Sequence, residues 1–214
     1  MCWNAEISLN TFLFSTFVLI LIIYNNAYTK YKIKELNNVW MYIFIFSFVL
    51  MQLIEFFIWK NINNKYYNNV FSILATCLLI IQPVASIMIL SNIELRNLLL
   101  VSYSLLAIPY SIYRVSTQYI HSSVGESGHL KWHFFDNNPI IYVIWMFFFL
   151  FSFIYENHWG GFIFVIVSLS ICFINYKHNN AMWSMWCWLV NTFLIYYAIY
   201  LLIVLPFIEK GKIC

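Results

Sequence analysis

Five long stretches of this chain carry no charged residue, and two more carry one each. The uncharged stretches run about Ser8–Tyr24, Val70–Leu90, Pro139–Tyr155, Phe162–Tyr176 and Ala181–Pro206. The other two, about Val39–Trp59 and Leu98–Gln118, hold only Glu55 and Arg114. A helix crosses a bilayer in about 20 predominantly apolar residues, so the pattern predicts an all-α, seven-transmembrane helix bundle. Composition excludes the alternatives. A soluble domain has about 25% charged residues, whereas this chain is 9% charged and 63% hydrophobic. That leaves too little charge to wet a 25.7 kDa globule. Soluble enzymes, secreted modules, nucleic-acid binders and disordered linkers are all set aside.

Seven spans consume about 140 residues, and the remainder leaves short loops with no room for an extramembrane domain. Residues 1–214 read as a single integral membrane domain whose surroundings are the lipid bilayer. The net charge is +3, and no basic run is long enough for a nucleic-acid patch. Cys2, Cys77, Cys172, Cys187 and Cys214 form no CxxC pair; Cys77 and Cys172 read as small core residues. Abundant Asn, Ile, Tyr, Phe and Lys beside scarce Ala, Gly, Pro and Arg suggest an AT-rich genome, microbial or viral.

The first span lacks a charged n-region and a small-residue cleavage site, so it does not read as a removable signal peptide. Lys30, Lys32, Lys34, Arg96, Lys210 and Lys212 fall on one side of the bundle. Lys60, Lys65, Arg114, Lys131 and Lys177 fall on the other. The positive-inside rule then favours an outside N-terminus and a cytoplasmic C-terminus, chiefly through the Lys30–Lys34 cluster. Trp40 and Trp59 sit where interfacial anchors belong, and Pro109 predicts a kink in the fourth span.

A charge at the centre of a spanning helix costs about 2.5–3.5 kcal/mol on insertion scales, so polar residues inside spans mark candidate sites. Glu55 stands out. Gln52, Glu55 and Trp59 occupy positions i, i+3 and i+7, one helical face. Ser111, Arg114 and Gln118 form a similar stripe near the end of the fourth span on the same side, which brings a Glu55–Arg114 pair within geometric reach. Such a pair either fixes helix packing or walls a ligand or ion cavity; a Glu55 kept neutral by desolvation or snorkelling to the interface is the alternative. Glu6, i to Asn10 at i+4, is a candidate to join that cluster from the first span; a first-turn acid favoured by the helix dipole is the alternative. Gln82-Pro83 interrupts the third span, and Pro83 frees a carbonyl one turn earlier that Gln82 can help to satisfy. The last span opens with Trp183, Trp186 and Trp188 and carries a Ser184, Cys187, Trp188, Asn191 stripe, so Trp186 and Asn191 join the candidates. Ser168, Cys172 and Asn175 read as helix glue. The fourth loop holds His121, Glu126, His129, His133 and Asp136. His129 and His133 stand at i and i+4. In a helix both rings would point one way and, with a third ligand from Glu55, Glu6 or His178 on the same side, could hold zinc. No lysine in the last span could carry a retinal Schiff base.

Two resemblances rest on these residues. The opening Met1-Cys2-Trp3-Asn4-Ala5-Glu6-x-Ser8, the Met51-Gln52-Leu53-Ile54-Glu55 run with Trp59, and Gln82-Pro83 resemble a family of small, uncharacterised polytopic proteins of bacteria and large DNA viruses. That family implies no activity. Gln52-Leu53-Ile54-Glu55 and His129-Leu130-Lys131-Trp132-His133 are similar to pieces of the alkaline ceramidase superfamily, as is Ala5-Glu6 followed by Asn10-Thr11. In that superfamily a zinc held by three histidines activates water for amide hydrolysis. Here the second span has no histidine, and the histidine piece precedes the fifth span.

Two classes of function follow. One is a receptor, channel or transporter whose polar cluster of Glu6, Gln52, Glu55, Gln82, Arg114, Gln118, Trp186 and Asn191 takes a small ligand or ion. The other is a zinc-dependent hydrolase of lipid amides or esters using Glu55, His129 and His133. The chain shows no phosphate-binding glycine loop, nucleophile elbow or cofactor fingerprint.

Overall fold

A computed structural model describes residues 4–136, 138–178 and 181–210, excepting the side chains of Lys34, Glu209 and Lys210. The first three residues, with Cys2, and the last four, with Lys212 and Cys214, lie outside the described residues. The chain is a helical bundle. Helices α1 (Ala5–Tyr28), α2 (Val39–Lys60), α3 (Lys65–Ile87), α4 (Ile93–Thr117) and α6 (Trp159–Tyr176) are each long and apolar enough to cross a membrane, as is the segment Met182–Ile208. Between α4 and α6 lies α5 (Pro139–Tyr155), a shorter apolar helix. The last segment is not one regular helix. It runs through α7 (Met182–Val190), α8 (Thr192–Ile199), a π-helical stretch (Tyr200–Val204) and α9 (Leu205–Lys210).

Asparagine starts five of these helices. Asn4, Asn38, Asn64, Asn92 and Asn138 each accept a hydrogen bond from a first-turn backbone N–H, satisfying donors that have no partner inside the helix. The caps lie upstream of three hydropathy boundaries, so α1, α3 and α4 begin three to five residues earlier than expected. Between α5 and α6 the chain turns at Asn157, whose φ is 60°. His158 N–H donates to the Phe153 carbonyl at 2.8 Å, closing α5 in a left-handed cap.

Packing fixes which helices can share a site. Helix α2 lies between α1 and α3, α5 packs on α3, and α6 packs on α7. Helix α4 packs on α3, and its outward face exposes Leu98, Val101, Leu105 and Ile112. The core is aromatic: Phe44, Phe48, Trp145, Phe149, Phe153 and Trp186 are all buried and meet ring to ring.

Pro83 sits inside α3 and removes one helical N–H, which orphans the Leu79 carbonyl. Trp145 of α5 donates its indole N–H to that carbonyl at 2.9 Å. Ser86, one turn further, meets Ser152 Oγ and donates to the Phe149 carbonyl, both at 2.6 Å. Small hydroxyl side chains thus bring α3 and α5 together.

The fourth loop is not helical. It folds into a two-stranded antiparallel hairpin, β1 (Ser122–Val124) and β2 (Leu130–Trp132), followed by a short 3₁₀ turn, His133–Phe135. Gly128, at φ 76°, closes the turn with its N–H on the Gly125 carbonyl; a side chain would strain that conformation.

Candidate functional site

The hairpin sits as a cover over one end of the bundle. Asn68 of α3 exchanges two bonds with Ser122: its Nδ2 donates to the Ser122 carbonyl and its Oδ1 accepts from the Ser122 N–H, both at 2.9 Å. Ser72 Oγ meets Ser122 Oγ at 3.0 Å. Asn69 donates to the Ile120 carbonyl at 2.7 Å, and Ser184 of α7 donates to the Leu130 carbonyl at 2.7 Å. Leu130 and Trp132 point into the protein and are buried. Ile120 reaches α3 from the hairpin's leading edge. The hairpin is held by side chains that pair its backbone groups.

Within the bundle on the same side lies the Gln52–Glu55 pair. Both residues have 0% of their surface exposed. The i, i+3 spacing works as the sequence suggests: Gln52 Nε2 donates to Glu55 Oε2 at 2.9 Å. The other face of the carboxamide is different, for Gln52 Oε1 has no hydrogen-bond partner among the described residues. Cys187 of α7 and Cys172 of α6 are both buried. Trp186 stands at the adjoining level. Its ring meets Phe48, one turn before Gln52, at 6.1 Å, and its N–H donates to Ser168 Oγ of α6 at 3.1 Å. Through its ring and its N–H, Trp186 thus joins α7 to α2 and to α6.

The other expected members lie elsewhere. Glu6 is exposed in the first turn of α1, the position where the helix dipole favours an acid. Gln118 is exposed and caps α4 through its backbone N–H on the Arg114 carbonyl. Arg114 does not partner Glu55. Its Nη2 reaches the carbonyls of His133, Phe134 and Asp136 at 3.3–3.5 Å, because α4 packs on the outside of α3, with α2 beyond. Gln82 is fully buried, and neither amide atom has a hydrogen-bond partner among the described residues. It lies in the opposite half of the bundle. Counted from the α2–α3 turn, Gln82 is nine residues further along its helix than Gln52, about 14 Å of rise. Asn191 donates to the Cys187 carbonyl at 2.8 Å, and it lines a cavity of about 20 Å³ among Phe44, Phe48 and Phe153. That is room for about one water, but one polar wall group is fewer than a water needs. Cys77 faces outward and Cys172 is buried.

The histidine pair loses its geometric premise. His129 and His133 flank a strand, and four residues of extended chain span about 13 Å, too far for one zinc with bonds of about 2.0–2.1 Å. Their surroundings also differ. His129 is buried edge-on to Tyr176 of α6 at 5.3 Å. His133 stacks on His121 at 4.4 Å and shares a 2.8 Å bond with Ser123 Oγ. Burial holds the His129 ring below its ordinary pKa. The His133 ring is lowered too, by burial first and then by the neighbouring His121 and Lys131, with Asp136 opposing. Among the described residues no three His, Cys, Asp or Glu side chains gather as a metal requires. These residues do not fit a zinc.

Sequence reasoning missed the residues that hold the cover. Asn68 and Ser72, at i and i+4, stand on either side of the hydropathy boundary of the third span. The signal for the hairpin was the pair of glycines between two short runs of β-formers.

Compared with known proteins, the chain matches no protein-family model, no curated protein and no solved structure.

Proposed function

We propose that the protein is a multi-pass, seven-span membrane protein of the receptor, channel or transporter class, and that its binding site for a small cation or cationic group is the Gln52–Glu55 pair. One observation carries this reading: a carboxylate and a carboxamide are both completely buried in a spanning helix, with the carboxamide oxygen turned to no protein donor among the described residues. Ionisable groups at such depth are costly and face the bundle interior, where they mark ligand or ion pathways. Glu55 supplies the negative charge, and Gln52 holds one carboxylate oxygen and offers a neutral one beside it. The lysine distribution favours an outside N-terminus and a cytoplasmic C-terminus, which puts the hairpin and the site near the outer surface.

The test is a cation screen on the purified full chain. Sodium, potassium, magnesium, calcium, tetramethylammonium and spermidine are each titrated while the melting temperature is read. A ligand present at about 100 times its Kd adds about 2.7 kcal/mol to stability, so a binding cation raises the melting temperature with concentration. Glu55→Gln abolishes the shift and Gln52→Leu weakens it. A wild-type chain that responds to none of them, or a Glu55→Gln chain that responds like wild type, overturns the reading.

A further inference from the structure

A second concavity, unrelated to Glu55, lies between α3, α4 and α5. It has a volume of about 260 Å³. One stripe of α4 forms a wall, from Tyr103 through Ala107 and Tyr110 to Arg114; Leu79 and Trp145 stand on the facing helices. Along α4 the stripe from Tyr103 to Arg114 covers eleven residues, about 16 Å of rise. Half of a roughly 30 Å hydrocarbon core is about 15 Å, so the groove runs the depth of one leaflet. It opens sideways, since Leu106 lines it and is 53% exposed.

The polar atoms of the shaft are satisfied within the protein. Tyr103 donates to the Ile80 carbonyl at 2.9 Å, Trp145 to the Leu79 carbonyl at 2.9 Å and Ser111 to the Ala107 carbonyl at 2.6 Å. At the interfacial end, three residues before α4 stops, stands Arg114. A guanidinium has five N–H donors. Only Nη2 of Arg114 is used, on three carbonyls at 3.3–3.5 Å, and Arg114 forms no ion pair among the described residues. An apolar shaft of one-leaflet depth thus ends in a cation with donors to spare.

From this we infer that the groove holds an acyl chain of an anionic phospholipid from the surrounding bilayer, with the lipid phosphate on Arg114. A neutral amphiphile would leave the cation uncompensated, and a free anion would leave the shaft unfilled.

The experiment uses the full chain equilibrated with equal amounts of phosphatidylglycerol and phosphatidylcholine, with retained lipid counted by native mass spectrometry. Wild type retains phosphatidylglycerol over phosphatidylcholine by about five-fold, the preference one basic residue at the surface confers. Arg114→Gln brings the ratio to about one and Arg114→Lys keeps it. Ala107→Leu, which fills the shaft, lowers retention of both lipids. In parallel, a phosphatidylglycerol carrying a diazirine at mid-chain is photolysed on the wild-type protein. Labels appear on the peptides holding Leu79 and Trp145. Equal retention of the two lipids by wild type, an unchanged ratio in Arg114→Gln, or labelling confined to the outward face of α4 overturns the inference.

Discussion

Trp145→Phe removes one hydrogen and one ring from the α3–α5 contact, and the structure says which loss matters. In wild type the indole N–H caps the Leu79 carbonyl at 2.9 Å, the carbonyl that Pro83 leaves without a helical donor. A buried acceptor stripped of its partner costs about 1–3 kcal/mol in a soluble core. Between membrane helices the measured values are smaller, averaging about 0.6 and reaching about 1.7 kcal/mol, because a helix separated in the bilayer finds other partners. The second range applies here. Phenylalanine keeps the stack on Phe149, now at 4.8 Å, but loses part of the packing, so the raw cost of the substitution mixes two effects.

A double-mutant cycle separates them. Pro83→Ala returns an N–H to position 83, and its natural acceptor is Leu79. In that background the carbonyl keeps a donor when Trp145 is replaced, so Trp145→Phe costs less by about 0.6–1.7 kcal/mol while its packing loss is unchanged. Tyr103→Phe is the comparison. Tyr103 bonds the next carbonyl, Ile80, and Val84 has an N–H to give it, so its cost should not depend on residue 83. Reversible unfolding in mixed micelles, followed by circular dichroism, supplies the four free energies. A cost for Trp145→Phe that is equal in the two backgrounds, within about 0.3 kcal/mol, refutes the account of Pro83.

Two further outcomes are expected. His129 and His133 lie outside the spanning helices and titrate below their ordinary value of 6.5, so the folded hairpin binds protons less readily than the unfolded chain. Hairpin docking is therefore complete above about pH 6.5 and weakens as pH falls through that value. Amide exchange of Ser122–Val124 and Leu130–Trp132, corrected for intrinsic rate, should accelerate on acidification from about pH 7.5 to 5.5; unchanged protection contradicts it. The adjacent glycines of α6 should respond in opposite senses. A Cβ on Gly161 would lie 2.8 Å from the ring of the buried Phe153, whereas one on Gly160 meets nothing within 4 Å. Gly161→Ala then costs about 1–3 kcal/mol, and Gly160→Ala is neutral or gains up to about 1 kcal/mol. Melting temperatures of the two variants in the reverse order contradict the packing of α6 on α5.

The spans were legible because only a bilayer stabilises so many long uncharged runs, and the Gln52–Glu55 pair because its geometry is local to one helix. The errors share a cause. Helix starts shifted at α1, α3 and α4 because hydropathy averages over the polar first turn, while Asn4, Asn64 and Asn92 satisfy that turn's donors without any apolar residue. The Glu55–Arg114 expectation failed at the next level. Sidedness put both groups on one side, but α4 packs on α3, and neighbour relations among helices depend on surfaces that no single stripe encodes. The two histidines failed at a third level, since i and i+4 means one face of a helix but about 13 Å along a strand. Each β-strand here has three residues, too few for a period to register, and bonds from Asn68, Asn69 and Ser184 hold the hairpin in place. A cost paid inside one helix is visible in sequence; one shared between elements becomes visible only when both partners are placed. On that ground Arg114, read as half of a buried pair, becomes the cation at the mouth of a leaflet-deep groove.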